Sequence, residues 1–531
     1  MPADRHQPRM TAGADALGAL REALAAAGLR QRETIETHTA WVVLTDTHAY
    51  KVRKPVRFPF ADLSTPERRR WASGEEVRLN QPLAGGLGYE LRALARSPGG
   101  HRLTDADDPD AVEWVVVMRR FDERDTLAAH VEAGTVSDAA VDRVAAAIAA
   151  FHRDAEPLIR PRWDKQVRAV IATNLDQLAD IVAADHPLRP RVEALHRVPE
   201  AVLPRHAERL RERGESGRVV EGHGDIRAEH VVLEGDRVLI IDRLEFDRAM
   251  RTVDVADDLA FLTTDLEALG ARPVADLLAE RYSAHGGDPG PPDLRALYGV
   301  HRAAVRAKVT LLRAEQVDAR QAEADRARAA DLLRLAEHLA WRARGPQALV
   351  VYGPPASGKS TLARALADRT GLESLSSDLV RKERLGLDPA ERAPAAAYDP
   401  GARAAIYGEL GRRARARLEA GEAVIVDATF GDAELRGAFL DALGAAGRDA
   451  LRLVACRAPL EVLVRRAAER TAAAAAGSDA GPEVAERLAR AWTPFDELPN
   501  AETVSVDTTA APDEALEAAL RGLDAAGSGS R

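Results

Sequence analysis

Lysine and cysteine are scarce in this sequence, and long apolar runs are absent. One cysteine, Cys456, in 531 residues excludes a disulfide within the chain and suits a reducing compartment. No stretch approaches the roughly 18 unbroken apolar residues of a membrane span. The opening MPADRHQPRM has no basic-then-apolar order, so neither a signal peptide nor a membrane anchor is expected, and the expected location is cytoplasmic. A net charge of −10 gives no general attraction to nucleic acid or anionic membrane. Six lysines stand among 74 basic residues: Lys51, Lys54, Lys165, Lys308, Lys359 and Lys382. Arginine fills the generic cationic positions, so each lysine marks a place where a compact ammonium on a flexible stem is wanted.

What is present is enough for two domains, with 46% apolar residues and mildly negative mean hydropathy. Residues 1–110 read as short strands and turns, with a hairpin of Trp41–Leu44 and Ala49–Val52 around Asp46-Thr47-His48. A helix is expected over Glu67–Leu83, a strand over Glu113–Met118, and helices from Ser137 to Arg213. Two strand-like runs bracket Gly235-Asp236, a hairpin turn signal. Residues 252–342 are again helical, and Gly345-Pro346 breaks the chain. The boundary expected there divides 1–344 from 345–531. Beyond it, strands at 349–352, 372–378, 423–427, 451–456 and 503–507 alternate with helices, the pattern of a parallel sheet covered on both faces. The small-residue run 472–481 reads as a loop.

The segment Gly353-Pro354-Pro355-Ala356-Ser357-Gly358-Lys359-Ser360-Thr361 fits GxxxxGK[ST] between a strand and a helix. Its glycines let successive N–H groups turn inward onto phosphates, and the following helix N-terminus adds a favourable field. Lys359 is expected at the β- and γ-phosphates and the Ser360 hydroxyl on Mg²⁺. Two carboxylates follow at the carboxyl ends of strands, Asp378 in SSDLVRK and Asp427 in VIVDATF. Each can take the proton of an attacking hydroxyl or hold Mg²⁺, or else cap the helix that follows.

P-loop, SSDxxRK, VIVDAT, then Cys456-Arg457-Ala458-Pro459 and an arginine-bearing helix resemble the small P-loop kinases over about 345–510. These include polynucleotide 5′-kinase, zeta-toxin and chloramphenicol phosphotransferase relatives. The resemblance implies an α/β P-loop kinase domain, Asp378 as general base, Arg381 as a substrate-side cation, and Arg465, Arg466 and Arg470 as lid arginines. A solvated helix face is the alternative for those three.

Upstream, Glu221-Gly222-His223-Gly224-Asp225 through His230, followed by Ile240-Ile241-Asp242, resembles the aminoglycoside phosphotransferase family, relatives of protein kinases, over about 35–315. The order of the two halves is that of bifunctional aminoglycoside phosphotransferase/ATP-binding fusion proteins. The resemblance implies an α+β kinase-like domain with Asp225 as catalytic base and Asp242 as Mg²⁺ ligand. Lys51 of Ala49-Tyr50-Lys51 becomes the phosphate lysine, Glu76 its partner and Met118 the hinge behind adenine. Lys54 and Glu75 stay open as alternatives for that pair, and Asp258 is expected to brace the catalytic loop. The sequence departs from the family twice. His230 stands where an asparagine ligates metal, which favours Mn²⁺ over Mg²⁺ there, and no glycine-rich loop lies between Glu36 and Asp46. The acidic stretch Asp254, Asp257, Asp258, Asp265, Glu267 reads as one structural aspartate on a solvated helix face, or as a seat for a cationic substrate.

The expected protein is an ATP-dependent phosphotransferase with two nucleotide sites, acting on a hydroxyl of a small molecule or of a nucleic-acid end. Nucleic acid enters only as a substrate of the P-loop half. The alternatives are an N-terminal half that senses a nucleotide or metabolite for the P-loop half, and an ATPase switch without acceptor.

Overall fold

A computed structural model describes residues 14–37, 39–58, 61–389, 391–472, 482–495, 497–498 and 501–527. Contacts divide the chain into two compact units, Met1–Trp163 with Arg209–Gly290, and Asp164–Glu208 with Pro291–Arg531. Gly345, at φ 74°, follows the helix Ala319–Arg342 and precedes the P-loop strand. The helices on its N-terminal side nevertheless group with the P-loop sheet, so the second unit holds more of the chain than 345–531. Most of the run 472–481 lies outside the described residues.

The first unit is built on a six-stranded antiparallel sheet in the order Glu33–Glu36, Ala40–Leu44, His48–Arg53, Ala111–Arg119, Glu90–Ser97, Gly100–Asp105. The expected hairpin forms, with Val42 opposite Lys51 and Leu44 opposite Ala49. Alternate residues of these strands point to opposite faces. Val43, Val52, Leu94 and Val115 accordingly pack against Leu20 and Leu24 of the helix Ala14–Ala26. The helix Pro66–Ala84 opens with Thr65, whose hydroxyl accepts from Arg68 N–H, and it buries Glu76 and Asn80. The second hairpin, Val231–Glu234 with Arg237–Ile240, turns at Gly235 (φ 58°) and packs with the helices Asp138–Asp154, Val255–Ala268 and Arg272–Ala284.

The second unit carries a five-stranded parallel sheet in the order Glu373–Ser376, Val424–Ala428, Ala348–Tyr352, Leu451–Arg457, Thr503–Asp507. Every residue of the central strand is buried. Ala348, Val350 and Tyr352 join one core, and Leu349 and Val351 join another. A period of two on a sheet covered on both faces requires the unbroken apolar run seen in the sequence. Around it pack the P-loop helix Lys359–Thr370 and the helices Pro400–Glu419, Ala433–Asp449 and Pro512–Gly527. Among the described residues no helix is long and apolar enough to cross a membrane.

Helices Pro400–Glu419 and Ala433–Asp449 approach most closely at Gly411, where an added Cβ would stand 2.4 Å from the Phe439 carbonyl oxygen and 2.8 Å from Ala442 Cβ. Gly411→Ala gains about 1 kcal/mol of helix propensity. It loses about 1–3 kcal/mol to overpacking against backbone that cannot move aside cheaply. The net expectation is destabilisation, read in denaturant titrations of the full chain as an earlier transition for the P-loop unit. An unchanged or later transition contradicts the close approach.

Candidate active sites

The P-loop follows the central strand, where the topology leaves a crevice at the carboxyl edge of the sheet. Gly353 has no room for a side chain, since a Cβ would lie 2.7 Å from both the Cys456 carbonyl oxygen and Ser357 Oγ. Ala356 is left-handed at φ 67°, a strained conformation for a residue with a Cβ, and Gly358 follows at φ 82°. The chain then enters the helix at Lys359, with Ser360 and Thr361 exposed on its first turn.

The two strand-end carboxylates sit in different surroundings. Asp427 lies within the strand Val424–Ala428 and is 4% exposed. Burial raises its pKa, against the opposing pull of the Lys359 ammonium and a hydrogen bond from Ser360. Its Oδ1 has no hydrogen-bond partner. A buried carboxylate oxygen left open beside a serine hydroxyl suits a hard divalent cation, which takes oxygen donors and completes its shell with phosphate and water. Ser360 and Asp427 therefore fit Mg²⁺. Asp427 does not cap a helix, since Asp432 caps the helix Ala433–Asp449.

Asp378 lies two residues past the end of the strand Glu373–Ser376, in the first turn of the helix Ser377–Leu385, with Ser376 rather than Asp378 as the cap. Its side chain is a quarter exposed and paired with Arg381 Nη1 at 3.0 Å and Lys382 Nζ at 2.9 Å. Arg381 stacks on Tyr398, with Cζ 4.5 Å from the ring centroid. Strand pairing places Ser376 beside Asp427, which brings the two carboxylates to the same edge.

Along the P-loop helix is a cleft of about 530 Å³, lined by Gly358, Lys359, Leu362, Ala365, Thr508 and Pro512 among others. Of the three expected lid arginines, Arg466 reaches this cleft and donates to the Thr508 carbonyl oxygen at 2.6 Å. Arg465 is two-thirds exposed, 3.6 Å from Glu469, as a solvated helix face requires. The Arg470 side chain lies outside the described residues. Thr508, whose hydroxyl donates to the Ser357 carbonyl oxygen at 2.7 Å, ties the last strand to the P-loop. The sequence marks it only as the residue after a strand.

In the first unit, Lys51 Nζ lies 2.8 Å from Glu76 Oε1 and 3.7 Å from Asp242 Oδ1. The alternatives are engaged elsewhere. Lys54 holds Glu36 and the Thr37 carbonyl oxygen at the end of the strand Glu33–Glu36, and Glu75 holds Arg78. No glycine stands in the sequence between the strands Glu33–Glu36 and Ala40–Leu44. Met118 pairs in register with Ala49, two residues before Lys51, and packs with Val116, Val232 and Ile241. Sequence inspection passes over Arg53, which is fully buried and links Glu76 to Glu245, 2.7 Å away.

Asp258 accepts the N–H groups of His223 at 2.7 Å and Gly224 at 2.8 Å. Burial works to raise its pKa, but the hydrogen bond from His152 and these N–H groups hold it well below the usual carboxylate range. His152, which carried no signal in the sequence, bridges Asp258 and the Tyr282 hydroxyl. The expected solvated face on Val255–Ala268 is instead buried through Leu266. Asp254 pairs with Arg213, and Asp265 accepts Ala228 N–H at 2.9 Å, so these acids fasten the loop and offer no seat for a cationic substrate.

Asp225, Asp242 and His230 come together as expected. His230 Nδ1 lies 2.9 Å from the Asp225 carbonyl oxygen and Nε2 lies 3.6 Å from Asp242 Oδ2. A carbonyl only accepts, so Nδ1 carries the hydrogen and Nε2 the lone pair. Arg227 Nη2 stands 2.6 Å from that lone pair. With Nδ1 donating and Nε2 accepting, the imidazole has no lone pair left for a metal. His230 thus does not replace the usual amide as a metal ligand, because a guanidinium already occupies it. A Mg²⁺ or Mn²⁺ ion on Asp242 would stand close to that guanidinium, a setting that does not suit a second fixed positive charge.

Residues 349–495 match the AAA domain family model. Over 474 residues the chain is 35% identical to the uncharacterized protein Rv2004c of Mycobacterium tuberculosis and to Mb2027c of Mycobacterium bovis, covering 87% of this chain and 90% of each relative. Among solved structures, a choline/ethanolamine kinase family protein from Mesorhizobium loti is similar at 16% identity and TM-score 0.36, over 60% of this chain and 98% of that one. A sugar kinase from a Janibacter species is similar at 22% identity and TM-score 0.27, over 34% of this chain and 95% of that one.

Replacing Asp258 by alanine leaves two buried N–H groups without an acceptor, at about 1–3 kcal/mol each. Hydrogen exchange of the segment 221–230 is expected to rise at least about tenfold in Asp258→Ala, since 1.4 kcal/mol is a factor of ten. Exchange at the wild-type rate contradicts the bracing role.

Proposed function

The chain belongs to the same family as these mycobacterial proteins, and for it we propose an ATP-dependent phosphotransferase activity centred on the P-loop unit. ATP would place its phosphates in the loop Gly353–Thr361 with Lys359 at the β- and γ-phosphates, and Ser360 and Asp427 would hold Mg²⁺, which would neutralise phosphate charge. The cleft between Leu362, Ala365 and the Thr508–Pro512 segment receives the base, and Arg466 closes over it. A hydroxyl-bearing acceptor approaches from the Asp378 side. Its oxygen attacks the γ-phosphorus, the bond to the β-phosphate oxygen breaks, ADP leaves, and the hydroxyl proton passes to Asp378. Arg381 and Lys382 stand near the charge that builds on the transferring group. Catalysis of this kind is mostly positioning and charge neutralisation.

The observation that carries this reading is the division of labour between the carboxylates. Asp427 is buried beside Lys359 and Ser360 with an open oxygen, and Asp378 is part-exposed and flanked by two cations. A bare ATPase switch needs the first but has no use for the second, with its lysine held by the Pro389 carbonyl oxygen at 2.8 Å. For the first unit the reading best supported is nucleotide binding without phosphotransfer, because His230 stands where related kinases carry a metal-ligating asparagine and its ring is engaged by Arg227 and the Asp225 carbonyl oxygen.

The test is ATP consumption by the full chain with and without a pool of sugars, polyols and nucleosides. Consumption is expected to require acceptor, to vanish in Lys359→Ala, and to persist in Asp225→Ala. Asp378→Asn should bind ATP normally and turn over about 10²–10⁴-fold more slowly. Full turnover in Lys359→Ala defeats the P-loop assignment, and unchanged saturating turnover in Asp378→Asn defeats its role as base.

A further inference from the structure

Asp242 sits at φ 64° with its carboxylate half-exposed, and fixed cationic groups stand on both sides of it. On one side is the Lys51 ammonium, 3.7 Å from Oδ1 and anchored by Glu76. On the other is Arg227, two residues past Asp225. Its Nε is 3.2 Å from Asp225 Oδ2, and its Nη2 is 2.6 Å from His230 Nε2. Nη1 pairs with Glu229, a carboxylate about half exposed. Burial opposes the charge on this guanidinium, but Asp225, Glu229 and Asp242 together hold it protonated.

The chemistry of the cluster follows from these contacts. A divalent ion at Asp242 would face a guanidinium that cannot lose its charge. The guanidinium is itself a planar array of donors matched to phosphate oxygens. Glu229 is its most exposed partner and the easiest to exchange for an incoming anion. Lys51 and Arg227 then supply, from the protein, the positive charge that a metal would otherwise bring.

We propose that the first unit binds a nucleoside polyphosphate without a divalent cation, with Lys51 and Arg227 as its fixed counter-charges. This rests on the nucleotide-binding reading of that unit and adds how its charge is neutralised. The bond pattern explains His230: an imidazole accepting from Arg227 at Nε2 and donating from Nδ1 holds the guanidinium in the cleft, which an asparagine at that position would not do with the same reach.

The experiment is hydrogen–deuterium exchange of the full chain with ATP, in EDTA, in Mg²⁺ and in Mn²⁺. The segments 48–53 and 219–246 report the first unit, and 353–361 reports the P-loop in the same samples. Protection of 48–53 and 219–246 is expected to be equal in all three conditions. In Arg227→Ala the ATP concentration needed for half-protection in EDTA should rise about tenfold or more, the value of a charge-assisted contact. Arg227→Lys should recover part of that loss, and exchange across the helices 255–284 should match wild type in both variants. Protection that appears only with a divalent ion overturns the proposal, as does protection in EDTA that survives Arg227→Ala. Absence of protection in every condition overturns the nucleotide-binding reading as well, and leaves the P-loop assignment to its own peptides.

Discussion

A carboxylate buried at the edge of a parallel sheet needs positive charge, and the site in the second unit is arranged around that need. Asp427 is held inside a strand whose neighbours on both faces are apolar, so it cannot turn to solvent. Lys359 and Ser360 answer it from the first turn of the P-loop helix, and one of its oxygens stays open. The backbone that brings Lys359 there is possible only because Gly353 passes within contact distance of the neighbouring strand and Ala356 accepts a left-handed conformation. The phosphate cradle, the metal position and the lysine are thus one construction. Each part fixes the geometry of the others.

The first unit solves a related problem with different parts. Its catalytic-type loop is fastened from below by Asp258 and Asp265, which accept three backbone N–H groups between them. His223, pushed down to about 4 by burial, stays neutral and donates to the Ile241 carbonyl oxygen. What the loop presents to the cleft is an aspartate already paired with an arginine, where the second unit presents an open carboxylate.

Much of this was legible from residue spacing. The P-loop, the central strand and the parallel sheet were read correctly because an apolar run of period two and a glycine-bounded phosphate loop are local signals. The Lys51–Glu76 pair was legible only as one of four combinations, since which lysine reaches which glutamate depends on strand register and helix phase. Arg53, Glu245, His152 and Thr508 were invisible because their partners lie far away in sequence and their residue types carry no motif. The acids at 254–267 misled, because charge in a helical sequence reads as solvent exposure unless the buried N–H groups they satisfy are known. His230 misled more subtly. Its departure from the usual asparagine was visible, but the arginine three residues earlier that takes its lone pair had no mark against the chain's arginine background.

The fate of the transferred phosphorus distinguishes a kinase from a switch most directly. The full chain is incubated with Mg²⁺ and ATP in heavy-oxygen water, with a pool of hydroxyl-bearing acceptors, and the products are followed by phosphorus NMR. A new phosphate monoester is expected whose oxygens carry no heavy isotope from water, with inorganic phosphate a minor product. Inorganic phosphate bearing one water-derived oxygen, formed at the same rate with or without acceptors, would contradict phosphotransfer to a hydroxyl.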